Sequence, residues 1–318
     1  MAVLNQALIF FLLMLVGIYA RRTKMITPEN QQQLSAIVVN IAYPAIIMSG
    51  ALAGGERIGG AALLEAAAAA VAAIVFAGAG GMLLARLLGY EEKLRGVVVV
   101  MTVFTNIGFM GVPMVRGIYG ADALIYMTVF LIPFNILFFS YAVSTIRGKT
   151  ADAAPATPAE PKPPLLKRLR GFFNNGMIAC FLAIILYFAD LPVPAPLKGG
   201  IEMLGLMTAP LAMLLMGSFL VDVDWLAALR EPRTILYCLI KMIVLPVAVV
   251  RLLALVIDND VLLGVCMAAL ATPCGNVIAL LTAIYNRDAY PTAVKSIALS
   301  TFASVATMPI AFALAGLV

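Results

Sequence analysis

Two short segments carry the residues best suited to chemistry. Asn106, Gly108, Gly111 and Pro113 lie in the run TNIGFMGVPM, and Thr272, Pro273, Cys274, Gly275 and Asn276 lie in ATPCGNVIALLTAIYN. Proline removes a backbone donor and clashes with the preceding turn, and glycine weakens a helix interior by about 1 kcal/mol against alanine. Each segment is therefore expected to break a helix. Inside hydrocarbon, the backbone groups freed by a break must be met by protein or by a wet cavity. The second half of a broken helix presents a new N-terminus, with exposed N–H groups and partial positive charge. Two such termini facing each other form a site for an anion. Asn106 and Asn276 suit its lining, because a carboxamide donates to a carboxylate without the burial of a full charge. The same residue types also suit close helix packing; the occurrence of two similar segments is what favours a site.

Other polar residues in apolar surroundings are weaker candidates. Asn135, two residues after Pro133, and Tyr43 would add polar groups to a cavity, or serve as packing hydrogen bonds. Lys241 lies deep enough in an apolar run to act as a countercharge for an acid or as a coupling group, with a snorkelled lysine as the bland alternative. Glu65 and Glu202 fall near span ends, and Arg251 and Lys295 read as topological anchors. No Asp or Glu falls at mid-membrane depth. The chain has no histidine, and its four cysteines (Cys180, Cys238, Cys266, Cys274) form no CxxC pair. No catalytic residue, metal site or cofactor is expected, and a membrane enzyme or receptor is disfavoured.

These residues need helices in a bilayer to position them. The chain is 63% hydrophobic and 12% charged, where a soluble protein carries about 25% charged residues. A span takes about 20 apolar residues, so 318 residues hold about ten. We place them near 2–20, 34–53, 61–85, 96–116, 122–146, 172–190, 200–221, 233–256, 261–285 and 290–317. The first reads as a retained span, since its basic residues Arg21, Arg22 and Lys24 follow the apolar run. Alternate connections hold 15 of the 21 Lys and Arg, which makes them cytoplasmic and sets both termini outside. This distribution reads as topology, with no nucleic-acid partner. The Pro/Ala-rich stretch 147–171 is a cytoplasmic linker. It separates residues 1–146 from 172–318, five spans each. An odd number per half inverts the second half, so the expected fold is all-α and polytopic, with two inverted five-helix repeats. Pro44 with Pro210, and Pro113 with Pro273, fall at similar offsets in the two halves.

With NIAYPAIIMSG in the second span (from Asn40), TNIGFMGVPM in the fourth and ATPCGNVIALLTAIYN in the ninth, the chain resembles the auxin efflux carrier family, of bacterial type. The resemblance covers both halves. It implies that broken spans 4 and 9 cross at a substrate site. It further implies a scaffold of spans 1, 2, 6 and 7, dimeric in the family, and a mobile transport domain of spans 3–5 and 8–10 moving as an elevator. Asn106, Pro113, Pro273 and Asn276 carry over as site residues, Gly111 belongs to the same break, and Asn40, Tyr43 and Pro44 would face the crossover from the scaffold. An inner-membrane carrier of small mono- or dicarboxylates is the expectation, with a lipid bilayer, a small acid and a second copy as partners. A sodium-coupled carrier of the bile-acid symporter type is the alternative.

Overall fold

The computed structural model describes residues 1–53, 58–147, 174–189 and 192–317. Beyond Arg147, the linker expected at 147–171 lies outside the described residues. The principal helices are α1 (Ala2–Arg22), α2 (Pro28–Ala51), α3 (Gly60–Leu87), α4 (Glu92–Val103), α5 (Val112–Tyr119), α6 (Leu124–Arg147), α7 (Asn175–Ala189), α8 (Ala195–Val221), α9 (Pro232–Leu253), α10 (Asp260–Ala271), α11 (Val277–Tyr285) and α12 (Tyr290–Ala315), with a short helical turn at Trp225–Leu229 between α8 and α9. Among the described residues, seven helical runs are long and apolar enough to cross a membrane. The chain is an all-helical polytopic membrane protein.

Local sequence explains the helix ends. α1 stops at Arg21 and Arg22, cations at the negative end of its dipole. α2 starts with a reciprocal cap: the Thr27 N–H donates to Asn30 Oδ1 at 2.8 Å, and the Asn30 N–H donates to Thr27 Oγ1 at 3.4 Å. Pro28 occupies the first helical position, where no N–H is needed. Asn259 caps α10 through the Leu262 N–H at 3.1 Å. Arg21 also pairs with Asp222 at the end of α8, both guanidinium contacts coming from Nη2 at 2.8 and 3.0 Å.

Small residues bring the helices close. In α3, Ala66, Ala70, Ala73 and Ala77 form one buried stripe. α1 and α8 meet backbone to backbone at Gly17 and Gly217: a Cβ on Gly17 would lie 2.2 Å from the Leu214 carbonyl oxygen, and one on Gly217 would lie 2.0 Å from that of Met14. The contact is reciprocal, each glycine facing the carbonyl three residues before its counterpart. α2 packs on α7 and α8, and α3 packs on α4, α6 and α9. α10 is buried along its whole length from Leu262 to Ala271, and α4 from Val97 to Val103. Helices apolar on every side belong at the centre.

Pro113 does not break its helix, contrary to the sequence expectation. Pro44, Pro113 and Pro246 each lie two residues after a π-turn, at 38–42, 107–111 and 240–244. Widening the turn moves the carbonyl that the proline ring would strike, so the helix passes through these sites without breaking. The fourth-span break therefore lies upstream of Pro113, at Phe104–Asn106, where α4 has ended and the backbone leaves the helical conformation (φ −94°, ψ 84° at Phe104 and φ −79°, ψ 49° at Asn106). Pro273 does lie at a break, following Thr272 in extended conformation (φ −64°, ψ 155°).

Candidate functional site

The two breaks meet. Thr105 stands opposite Cys274 in an isolated antiparallel bridge. The Asn106 N–H donates to the Pro273 carbonyl at 2.8 Å, and the Gly275 N–H donates to the Phe104 carbonyl at 3.1 Å. Each interrupted helix thus meets part of the other's hydrogen-bonding demand. A Cβ on Gly275 would sit 2.8 Å from the Phe104 oxygen, so the approach requires glycine.

Side chains satisfy carbonyls at the C-terminal end of α10. Ala269 O accepts from Thr105 Oγ1 at 2.7 Å and from Thr272 Oγ1 at 3.1 Å. Lys241 Nζ donates to Leu270 O at 3.4 Å and also to Thr272 O. Cys274 N–H donates to Ser300 Oγ of α12 at 3.1 Å.

On the far side of the bridge the second half-helices begin, through the π-turn Ile107–Gly111 into α5 and at Val277 into α11. First-turn N–H groups have no α-helical acceptor; that of Ile278 turns back to the Gly275 carbonyl at 3.1 Å. Ile107, Gly108 and Phe109, together with Asn276, Val277 and Ile278, line one cavity of about 300 Å³. Its polar wall is made of carboxamides: Asn40 from α2, Asn106, Asn135 from α6, Asn174 and Asn175 at the start of α7, and Asn276. Its apolar wall is aromatic, with Phe104 packed edge-on against Phe134 and Phe138, at ring separations of 5.4 and 5.1 Å. Among the described residues, none lining it is charged.

Several of the amides are tethered. Asn135 Nδ2 donates to Leu131 O at 2.8 Å, and Asn40 Nδ2 donates to Ala36 O at 2.9 Å. Asn175 Nδ2 donates to Asn40 Oδ1 at 2.9 Å, joining α7 to α2. Asn106 and Asn276 differ: both turn Nδ2 toward the same sulfur, Met216 Sδ of α8, at 3.6 and 3.5 Å. A thioether is a weak acceptor. Asn276 Oδ1 is buried without a hydrogen-bond partner among the described residues. Two donors from two half-helices thus converge, held only loosely. Tyr43 closes the cavity beside them, its ring within 3.3 Å of where Gly108 would carry a Cβ and 2.9 Å of where Gly176 would.

Of the residues singled out in the sequence, Asn40, Tyr43, Asn106, Asn135 and Asn276 line this cavity. Gly111, Pro113 and Pro273 do not. Gly111 packs against Ile107 and the Ala268 carbonyl, Pro113 is buried in α5, and Pro273 serves through its carbonyl. Lys241 also stands apart, behind the bridge. Asn174, Asn175, Gly176, Met216 and the phenylalanine wall went unnoticed. The Asn-Asn-Gly triplet resembles an ordinary helix start, and Asn174 does cap α7 through the Met177 N–H at 2.9 Å. Met216 and the phenylalanines carry no mark in an apolar run.

The cavity lies toward one end of the helices, that of the α1 C-terminus and the α7 N-terminus. At the other end Arg116 of α5 donates to Ser49 Oγ of α2 and to Glu202 of α8, both at 3.0 Å. Among curated proteins none matches the chain. The family model described as Membrane transport protein, that of the auxin efflux carriers, matches residues 2–312. With nearly its whole length covered, the chain belongs to this transporter family.

Proposed function

We propose that the protein is a secondary carrier of small organic anions, mono- or dicarboxylates, which bind in the cavity beside the Thr105–Cys274 bridge. The observation that carries this reading is the convergence of two half-helix N-termini and the Asn106 and Asn276 amides on one space that no described charged residue lines. Dipoles and neutral donors favour an anion there without the cost of a buried cation. A carboxylate is a far stronger acceptor than the Met216 sulfur. The aromatic wall suits the apolar part of such an acid.

In this reading the discontinuous pairs α4 and α5, and α10 and α11, each make one crossing, and α7 makes another. With the seven long runs this gives ten crossings, as two inverted five-helix repeats whose fourth and ninth members cross. α1, α2, α7 and α8 form the scaffold, through which two copies pair, and the remaining helices form the domain that carries substrate in an elevator motion. The protein lies in the inner membrane, and the positive-inside bias supports an orientation with both termini outside. The cavity then opens to the cytoplasm, and Arg116 closes the outer side.

The test is flux of labelled mono- and dicarboxylates into proteoliposomes. Wild-type protein shows saturable uptake of at least one acid. The Asn106→Ala, Asn276→Ala double variant removes two hydrogen bonds to a charged group, each worth about 1.5–3 kcal/mol, and loses affinity by roughly 100-fold or more. Absence of saturable flux across the panel refutes the reading, as does normal flux in the double variant.

A further inference from the structure

Lys241 is fully buried in the π-turn of α9, on the side of the bridge away from the cavity. Its Nζ reaches the Leu270 and Thr272 carbonyls, and it makes no ion pair with any described carboxylate. The half-buried Lys295 of α12, by contrast, does pair with an acid, at 2.9 Å from Glu231. The polar side chains nearest Lys241 on its own helix and at the break are Tyr237, Cys238 and Cys274, and these are engaged elsewhere. Tyr237 Oη contacts Thr102 Oγ1 at 3.1 Å and Cys274 Sγ at 3.9 Å, and Cys238 Sγ faces the Ser296 carbonyl at 3.6 Å.

An ammonium taken out of water without a countercharge is costly unless its donors are met. What meets them here is the C-terminal end of α10, where carbonyls lack intrahelical donors and the helix dipole is negative. Carbonyl oxygens at the end of a half-helix, inside a membrane protein, are also what holds a dissolved monovalent cation. We propose that the C-terminal carbonyls of α10 form a monovalent-cation seat that the chain fills with its own Lys241 ammonium. The protein accordingly needs no sodium or potassium to hold the bridge, and removing the ammonium opens the seat to a small cation from solution. This inference concerns the bridge itself and does not depend on which substrate is carried.

Thermal melting of the purified full-length protein tests it without any substrate, so its failure is distinct from that of the transport reading. Wild-type protein melts at the same temperature, within about 1 °C, in sodium, potassium and choline chloride at equal ionic strength; the ions differ only where a specific site takes one of them. Lys241→Ala melts about 5–10 °C lower in choline. It recovers at least half of that loss in sodium chloride or with n-propylammonium, which replaces the deleted atoms, and recovers nothing with tetramethylammonium or n-propanol. Sodium-specific stabilisation of the wild type overturns the proposal. So does a Lys241→Ala protein that melts like wild type in choline, that no small cation restores, or that cannot be recovered folded even with n-propylammonium.

Discussion

Gly275→Ala puts the bridge under direct test. The added Cβ would lie 2.8 Å from the Phe104 oxygen and 3.3 Å from the Thr105 oxygen. Both are main-chain atoms held by the bridge itself, so no rotamer change relieves the contact. Reaching ordinary van der Waals distance requires the two segments to part by roughly 0.5 Å. That shift takes the Gly275 to Phe104 hydrogen bond, now 3.1 Å, beyond useful length. The 2.8 Å bond from Asn106 to Pro273 weakens with it. Two buried bonds at about 1 kcal/mol each, with about 1–3 kcal/mol more for a donor left unmatched, give roughly 3–5 kcal/mol of destabilisation. The lower chain entropy of alanine in the unfolded state returns about 0.4–1 kcal/mol. A fall in melting temperature of roughly 5–10 °C follows. Gly200→Ala is the control, since nothing lies within 4 Å of its Cβ position in α8; it melts at or slightly above wild type. Differential scanning fluorimetry in detergent reads both variants. A Gly275→Ala protein melting within about 1 °C of wild type refutes the claim that this bridge holds the two broken helices together.

Three further substitutions probe the frame and the cavity. Gly217→Ala or Gly17→Ala drives a Cβ into an opposing carbonyl at 2.0 or 2.2 Å, and each lowers stability by roughly 1–3 kcal/mol, read as loss of monodisperse protein on gel filtration and a lower melt. A melt unchanged from wild type for both would show that α1 and α8 do not pack this closely. Gly176→Ala pushes on the Tyr43 ring, which stands 2.9 Å from the new Cβ and can swing into the cavity. Uptake half-saturation rises about tenfold while the melt moves by less than about 2 °C; the opposite split, with stability lost and affinity kept, would place the ring's role in packing alone.

Much of the fold was legible because the bilayer leaves few options. Uninterrupted apolar runs such as Ala2–Arg22 and Gly60–Leu87 read directly as spans. The two breaks were found from Asn, Gly and Pro in apolar surroundings, and Asn106 and Asn276 do converge. The misjudged part was Pro113, which passes within its helix because a π-turn precedes it, and no local residue pattern announced that turn. The role of Met216 depends on α8 passing beside both breaks, a long-range contact that a linear reading does not contain. Lys241 was visible as an oddity, but its direction, away from the cavity and onto the α10 carbonyls, is a property of packing.

The Gly17–Gly217 contact has a mechanical consequence. Most helix pairs are separated by side chains, whose rotamers yield under load and act as a soft layer. Here two main chains rest on each other, and Arg21 pins the neighbouring ends through Asp222. Any sliding of α1 along α8 would have to deform peptide geometry, which is far stiffer than a side-chain torsion. This pair therefore behaves as a joint with no play, which ties α1 and α8 into one stiff unit.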